Sequence, residues 1–233
     1  MTPNKLSLSL AAAVLAGAAW VPQAGATVSI AASFDEKVEK ADAIVVGKVI
    51  RQESRFDESR GMILTWTTFQ VEKTLKGGAP AEVTIVTPGG RVGDLQQTTI
   101  GVPTFQRGAE NVVFVKNTRS GPTVLFFDQG AYEVVSLKGE KIVKPVATDA
   151  VRLDEQRGVA VAPEHPRPLR DFEGAVRGAE RRARQNRMDV LERQRHTLEE
   201  QTSISAHIAE NKWLIVLTAL GLALAAIQFI RRH

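Results

Sequence analysis

The 233-residue chain has no cysteine. That absence removes thiol catalysis, thiolate metal sites, lipid attachment through cysteine and disulfide stapling, so the fold must rest on packing alone. Histidine is scarce, with four in all, His165, His196, His207 and His233, and none lies between residues 27 and 162. That stretch therefore offers no imidazole for a zinc site or a general base. The sequence also lacks Gly-x-Ser-x-Gly, His-Glu-x-x-His, Ser-x-x-Lys and a phosphate-binding glycine loop with a lysine. No reaction is signalled, no enzyme is expected, and neither cofactor nor metal is called for. The carboxylates available for acid-base pairing in the same stretch include Asp94, Glu110 and Asp128, and solvation is the economical account of each.

Charge of one sign is weakly in excess, at a formal +4. Much of that excess is arginine between residues 167 and 195, where Arg177, Arg181, Arg182, Arg184 and Arg187 are interspersed with Glu180, Asp189 and Glu192. Pairing along a solvated helix explains this pattern, with attraction to anionic lipid headgroups as a second use. Nucleic acid is not an expected partner.

Long apolar runs occur near the two ends, over residues 6–20 and 213–230. The first follows Lys5 and is too short to span a bilayer comfortably. It is followed by Pro22 and by small residues at Ala24 and Ala26, the pattern of a secretory signal cut after Ala26, which leaves a mature chain starting at Thr27. The second carries no charge and would reach about 27 Å as a helix. Lys212 and Trp213 mark one edge, and Ile230, Arg231 and Arg232 the other. These features predict one C-terminal transmembrane helix with a short basic cytoplasmic tail and the main domain outside. No Leu-Pro-x-Thr-Gly, Pro-Glu-Pro or glycine pair precedes it, so a retained anchor is the expectation.

The order expected along the chain is a signal peptide (1–26), a folded domain (27–162), a proline-containing linker and charged helical stalk (163–211), and the membrane helix with its tail (212–233). Within the domain, Phe34, Val38 and Ala41 fall at helical spacing behind Ser33 as N-cap. Short runs rich in β-branched residues follow at 43–50, 63–75, 83–85, 111–116, 123–127, 131–136 and 141–143, separated by glycine-bearing turns and by a polar connection at 51–61. Gly47 inside the first run predicts a bulge or bend. Strands at this spacing, with long helices absent from the domain, predict an all-β barrel or sandwich. After Pro163, Pro166 and Pro168, Asp171 is a candidate N-cap for a helix over 172–209. Its apolar stripe is thin: Phe172, Val176, Ala179, Ala183, Val190 and Leu198, interrupted by Arg187 and Gln194. That fits a solvated stalk better than a core helix, with weak self-association as the alternative.

The pieces Ala41-Asp42-Ala43-Ile44-Val45-Val46-Gly47-Lys48-Val49, Phe69-Gln70-Val71-Glu72-Lys73-Thr74-Leu75-Lys76-Gly77, Pro88-Gly89-Gly90, Phe105-Gln106-Arg107-Gly108-Ala109-Glu110-Asn111-Val112-Val113-Phe114-Val115 and Gly130-Ala131-Tyr132-Glu133-Val134 carry a resemblance by their order and spacing. They resemble an exported bacterial domain family with an OB-like barrel, similar in pattern to the N-terminal domain of tissue inhibitors of metalloproteases. The resemblance covers residues 33–143 and implies a fold more than a function. It implies an all-β OB-like barrel in an exported bacterial protein; with the stalk and membrane helix read from the apolar and basic runs, the expected location is the cytoplasmic membrane of a bacterium with the domain extracytoplasmic. The inhibitors chelate zinc through an N-terminal disulfide-linked cysteine, and a chain without cysteine cannot use that route.

The one loop with a recognition pattern is Gly89-Gly90-Arg91-Val92-Gly93-Asp94, where Arg91 and Asp94 are the candidate ligand contacts. It follows a strand and opens no helix, so a turn needing positive backbone angles is the simpler account. Trp66, on the opposite face of its strand from Phe69, is the clearest candidate for an exposed stacking ring. The function expected is a membrane-anchored extracytoplasmic binding module whose partner is an envelope protein or glycan. The alternatives are a modulator or partner of an envelope protease or other envelope enzyme, and a self-assembling structural protein.

Overall fold

A computed structural model describes residues 28–146, 150–162, 164–210 and 212–232; in the C-terminal helical part, side chains are described through 199, at 213 and over 216–231. The candidate cleavage residues Ala24 and Ala26 lie outside the described residues. The chain divides into two compact units between Arg177 and Gly178.

In the first unit, strand β1 (Val28–Ile30) leads to helix α1 (Phe34–Lys40), where the Ser33 hydroxyl caps the first turn by accepting from the Glu36 N–H at 3.1 Å. There follow β2 (Ala43–Asp57), β3 (Met62–Lys76), β4 (Glu82–Pro88), β5 (Gly90–Val92), β6 (Leu95–Gln97), β7 (Glu110–Thr118), β8 (Gly121–Val124), a single 3₁₀ turn, β9 (Ala131–Leu137), β10 (Glu140–Pro145), β11 (Val151–Leu153) and β12 (Arg167–Pro168). Helix α2 (Leu169–Glu210) runs from the first unit into the second, which also holds α3 (Lys212–Arg232).

The main sheet has eight strands in the order β12-β10-β9-β7-β2-β3-β4, with β8 added to β7; β1 and β11 form a parallel pair, and β5 and β6 an antiparallel one. Alternation along β2 and β7 divides the buried residues between two faces. Val45, Val49, Phe69, Ile85, Phe105, Val113 and Val115 belong to one cluster. Ile44, Val46, Val112 and Phe114 alternate with them, and Phe114 meets Phe34 and Phe172, each at 6.2 Å between ring centroids. Each such side chain contributes about 1.5–3 kcal/mol by leaving water. The β2–β3 register shifts between Val46 and Gly47, as expected for a bulge, and a side chain at Gly47 would stand 2.7 Å from the Gln70 carbonyl oxygen.

The expected OB-like barrel is corrected: among the described residues no sheet closes, and β12 and β4, the two ends of the strand path, do not pair with each other. Closure would need a ladder between β4 and β8, the strand added to β7. β4 and β8 adjoin without a ladder among the described residues, and the Thr123 hydroxyl donates to the Val86 carbonyl at 2.8 Å. β8 pairs with β7 along its four residues, and Pro122 has no N–H to offer a second ladder.

The expected membrane span is also corrected. A helix does form over Lys212–Arg232, but among the described residues no helix is long and apolar enough to cross a membrane. Lys212, Trp213, Ile230, Arg231 and Arg232 are thus positions at the ends of a helix and not the edges of a demonstrated span.

Two further differences concern local structure. Residues 51–57, read as a polar connection, continue β2 against Met62–Thr68 of β3. Helix α2 begins at Leu169, so Asp171 sits in its first turn and is not its cap.

Candidate functional site

The described surface of the first unit carries a cleft of about 540 Å3 where the apolar cluster gives way to polar side chains at one end of the sheet. The register sets Ser54 of β2 opposite Thr65 of β3, and Thr65 opposite Thr87 of β4. Threonine suits a pleated strand as well as valine does, so the β alternation persists while its chemistry changes from hydrocarbon to hydroxyl. The Ser54 and Thr65 hydroxyls lie 2.8 Å apart, and Thr65 donates to the Gly89 carbonyl at 2.6 Å.

Gly89 and Gly90 turn the chain out of β4 with φ of 95° and 135°. A Cβ at Gly90 would lie 2.3 Å from the Thr65 hydroxyl oxygen and 2.5 Å from that of Ser54. Glycine therefore allows the β5–β6 hairpin to leave the sheet edge in close contact with it. The hairpin is tied back by Gln97, whose side-chain oxygen accepts from the Ile63 N–H at 2.7 Å. Gln96, Gln97 and the following segment 98–105 form the facing wall, and Phe105 lies at the base with its ring edge-on to Phe69 at 5.1 Å.

Arg91 lines this cleft, and its guanidinium Nε donates to the Gly93 carbonyl at 3.2 Å. Asp94 occupies the exposed tip of the hairpin and is not among the lining residues, so the two candidate contacts are placed apart in role. The turn itself forms as its glycines required, Gly93 also having a positive φ of 58°. The hydroxyl and carboxamide lining was not singled out from sequence. The signal was present as the threonines of β3, Thr65 and Thr67, in register with polar residues of β2, but only pairing reveals it.

A shallower hollow lies over the opposite parity of β2 and β3, lined by Arg51, Glu53, Arg55, Trp66, Thr68 and Thr84. The Trp66 ring is half-buried, with the Arg55 guanidinium 5.7 Å from its centroid, so the candidate stacking face is already partly occupied by a cation. Asp128 and Glu110 do not pair as acid and base. Asp128 is held by Arg152 at 2.9 Å, and Glu110 by Lys141 at 2.7 Å.

A buried ionic group lies at α1. Lys37, 1 % exposed, donates to the Tyr132 hydroxyl at 2.6 Å and pairs with Glu164, while Tyr132 donates to the Glu164 carboxylate at 3.0 Å. Arg167 stacks 4.5 Å from the Phe34 ring centroid and 4.7 Å from that of Phe172. Burial lowers the pKa of Lys37, with Glu164 opposing it, and burial lifts that of Tyr132 well above the ordinary value, with Glu164 adding to the rise. Every polar group of this set has a partner, and its evident effect is to fasten the segment around Glu164 to α1 and β9.

Among the described residues no group of three or more His, Asp or Glu could hold a metal ion. No protein family, no curated protein and no solved structure matches this chain.

Proposed function

We propose that this chain is an exported, non-enzymatic binding module that engages a component of the bacterial envelope through the cleft between the sheet end and the β5–β6 hairpin. Export rests on the N-terminal pattern of Lys5, the apolar run 6–20 and the small residues Ala24 and Ala26. One observation carries the reading: a concave site of ligand size, about 540 Å3, whose walls present hydroxyl and carboxamide groups above an apolar base. Such a wall recognises by hydrogen bonding and by shape.

The test is retention of envelope material, protein and glycan together, by the immobilised full chain. Thr104→Trp places a large ring at an exposed position of the cleft wall and should reduce retention at least tenfold, with the thermal melt unchanged. Retention that is indifferent to Thr104→Trp and to Gln96→Ala would refute the cleft as the binding site.

A further inference from the structure

We infer that the cleft takes an uncharged saccharide; the inference rests on the cleft being the binding site and adds the chemical class of its ligand. The lining is almost free of charge. Arg91 is its one charged residue, and its guanidinium already spends one N–H on the Gly93 carbonyl. A phosphate or polyanionic ligand is usually met by several clustered cations or by a nest of backbone N–H groups, and a cation by carboxylates. Neither cation cluster nor carboxylate lines this cleft among the described residues.

The side chains present are of two kinds with matching abilities. Thr87, Thr98, Thr99 and Thr104 offer hydroxyls that both donate and accept, and Gln96 and Gln97 offer carboxamides with separate donor and acceptor ends. A sugar presents neighbouring hydroxyls that also do both, so each can meet either kind of group without leaving a buried lone pair or proton unpaired. The Gln97 amide oxygen is used by the Ile63 N–H, which orients its amide nitrogen as the free donor. A sugar ring also has C–H faces. Phe105, 5 % exposed, and Ile100, 45 % exposed, supply apolar surface at the base and the mouth.

An extended peptide would instead bind through main-chain hydrogen bonds along a strand edge such as that of β4, whose end lines the cleft, and the peptide arm of the test below separates that outcome from a sugar. The cleft is open on its solvent side and lies within the roughly 300–1,000 Å3 common for small-ligand sites. Both features suit a short stretch of a longer glycan.

The experiment is calorimetric titration of the full chain with maltotriose, chitotriose and mannotriose. Trigalacturonate and inorganic phosphate serve as charged comparators, and an uncharged Gly-Ser hexapeptide as a main-chain ligand. Saturable binding of at least one neutral trisaccharide is expected, weakened at least tenfold by Thr104→Trp and by Gln96→Ala and changed less than threefold by Lys138→Ala, a solvent-exposed control outside the cleft. No saturable binding of any neutral trisaccharide at millimolar concentration overturns the inference, as does tighter binding of trigalacturonate, phosphate or the peptide. Failure of the sugars while Thr104→Trp still abolishes envelope retention would remove the saccharide assignment and leave the cleft as the binding site. Failure of both removes both.

Discussion

Phe69 and Phe114 are each fully buried and lie in strands of one sheet, yet they face opposite ways. Phe69 packs with Phe105, while Phe114 stands among Phe34, Tyr132 and Phe172 at 5.7–6.2 Å between centroids. Replacing either by alanine should cost roughly 3–5 kcal/mol, a large part of the about 5–15 kcal/mol that holds a domain folded. The milder Phe→Leu change keeps double variants measurable, at about 1–2 kcal/mol each.

Two cycles then read the layering. Phe69→Leu with Phe114→Leu should add to within about 0.5 kcal/mol, because the rings share no partner. Phe114→Leu with Phe172→Leu should fall short of additivity by about 0.5–1.5 kcal/mol, because the first loss already removes the edge-on contact that the second would break. Urea denaturation of the full chain measures this: with a slope of about 1–3 kcal/mol per molar, each single change moves the midpoint by roughly 0.3–2 M. Coupling between Phe69 and Phe114 as large as that between Phe114 and Phe172 would mean that the two rings share one layer, and the two-faced sheet would be refuted.

Gly90→Ala should destabilise by about 1–3 kcal/mol, since φ is 135° and its Cβ would press on Thr65 and Ser54. Gly93→Ala, at φ 58° with nothing within 4 Å, should cost only about 1–2 kcal/mol; the reverse order of their urea midpoints would contradict the close hairpin approach. Tyr132→Phe should cost about 1–3 kcal/mol by leaving Lys37 one acceptor short and Glu164 one donor short, and a melt within error of the parent would show that the hydroxyl is not part of the clamp. The Lys116 ammonium and the Asn117 N–H hold the pKa of Asp42 below the ordinary value of 3.8. A carboxyl whose folded pKa is depressed contributes stability that is present above the unfolded pKa and is lost as pH falls through the folded one. Asp42→Asn should therefore flatten the loss of stability below about pH 4, and an unchanged slope between pH 5 and pH 2 in urea melts would count against that pairing.

Much of the fold is legible in the sequence where local chemistry decides it. Ser33 caps α1, Gly47 marks a register shift, and apolar alternation locates the centres of β2, β3, β4, β7 and β9. What escapes is decided by pairing. The second half of β2 is polar and exposed, and it is a strand because β3 supplies its ladder, not because its residues favour one. Val28–Ile30 becomes a strand only beside Val151–Leu153, a parallel partner far along the chain. In α2, Phe172 and Val176 are buried while Val190 and Leu198 are exposed, so one thin stripe serves two surroundings that periodicity cannot separate.

The end of the sheet at β4 and the candidate cleft adjoin. Seven short strands with glycine turns suggest closure, but among the described residues no ladder joins β4 to β8. The sheet edge at β4 instead leads through Pro88 and two glycines of positive φ into a hairpin, and residues 98–105 return along the polar end of the sheet without forming a strand. Their side chains face Ser54, Thr65 and Thr87 across the cleft. Arg91 is visible in the sequence because glycines flank it, whereas the hydroxyls opposite are hidden among threonines that any strand could contain. The polar wall is assembled by the pairing of β2, β3 and β4, which sets Ser54, Thr65 and Thr87 side by side, and a strand-by-strand reading does not show that juxtaposition.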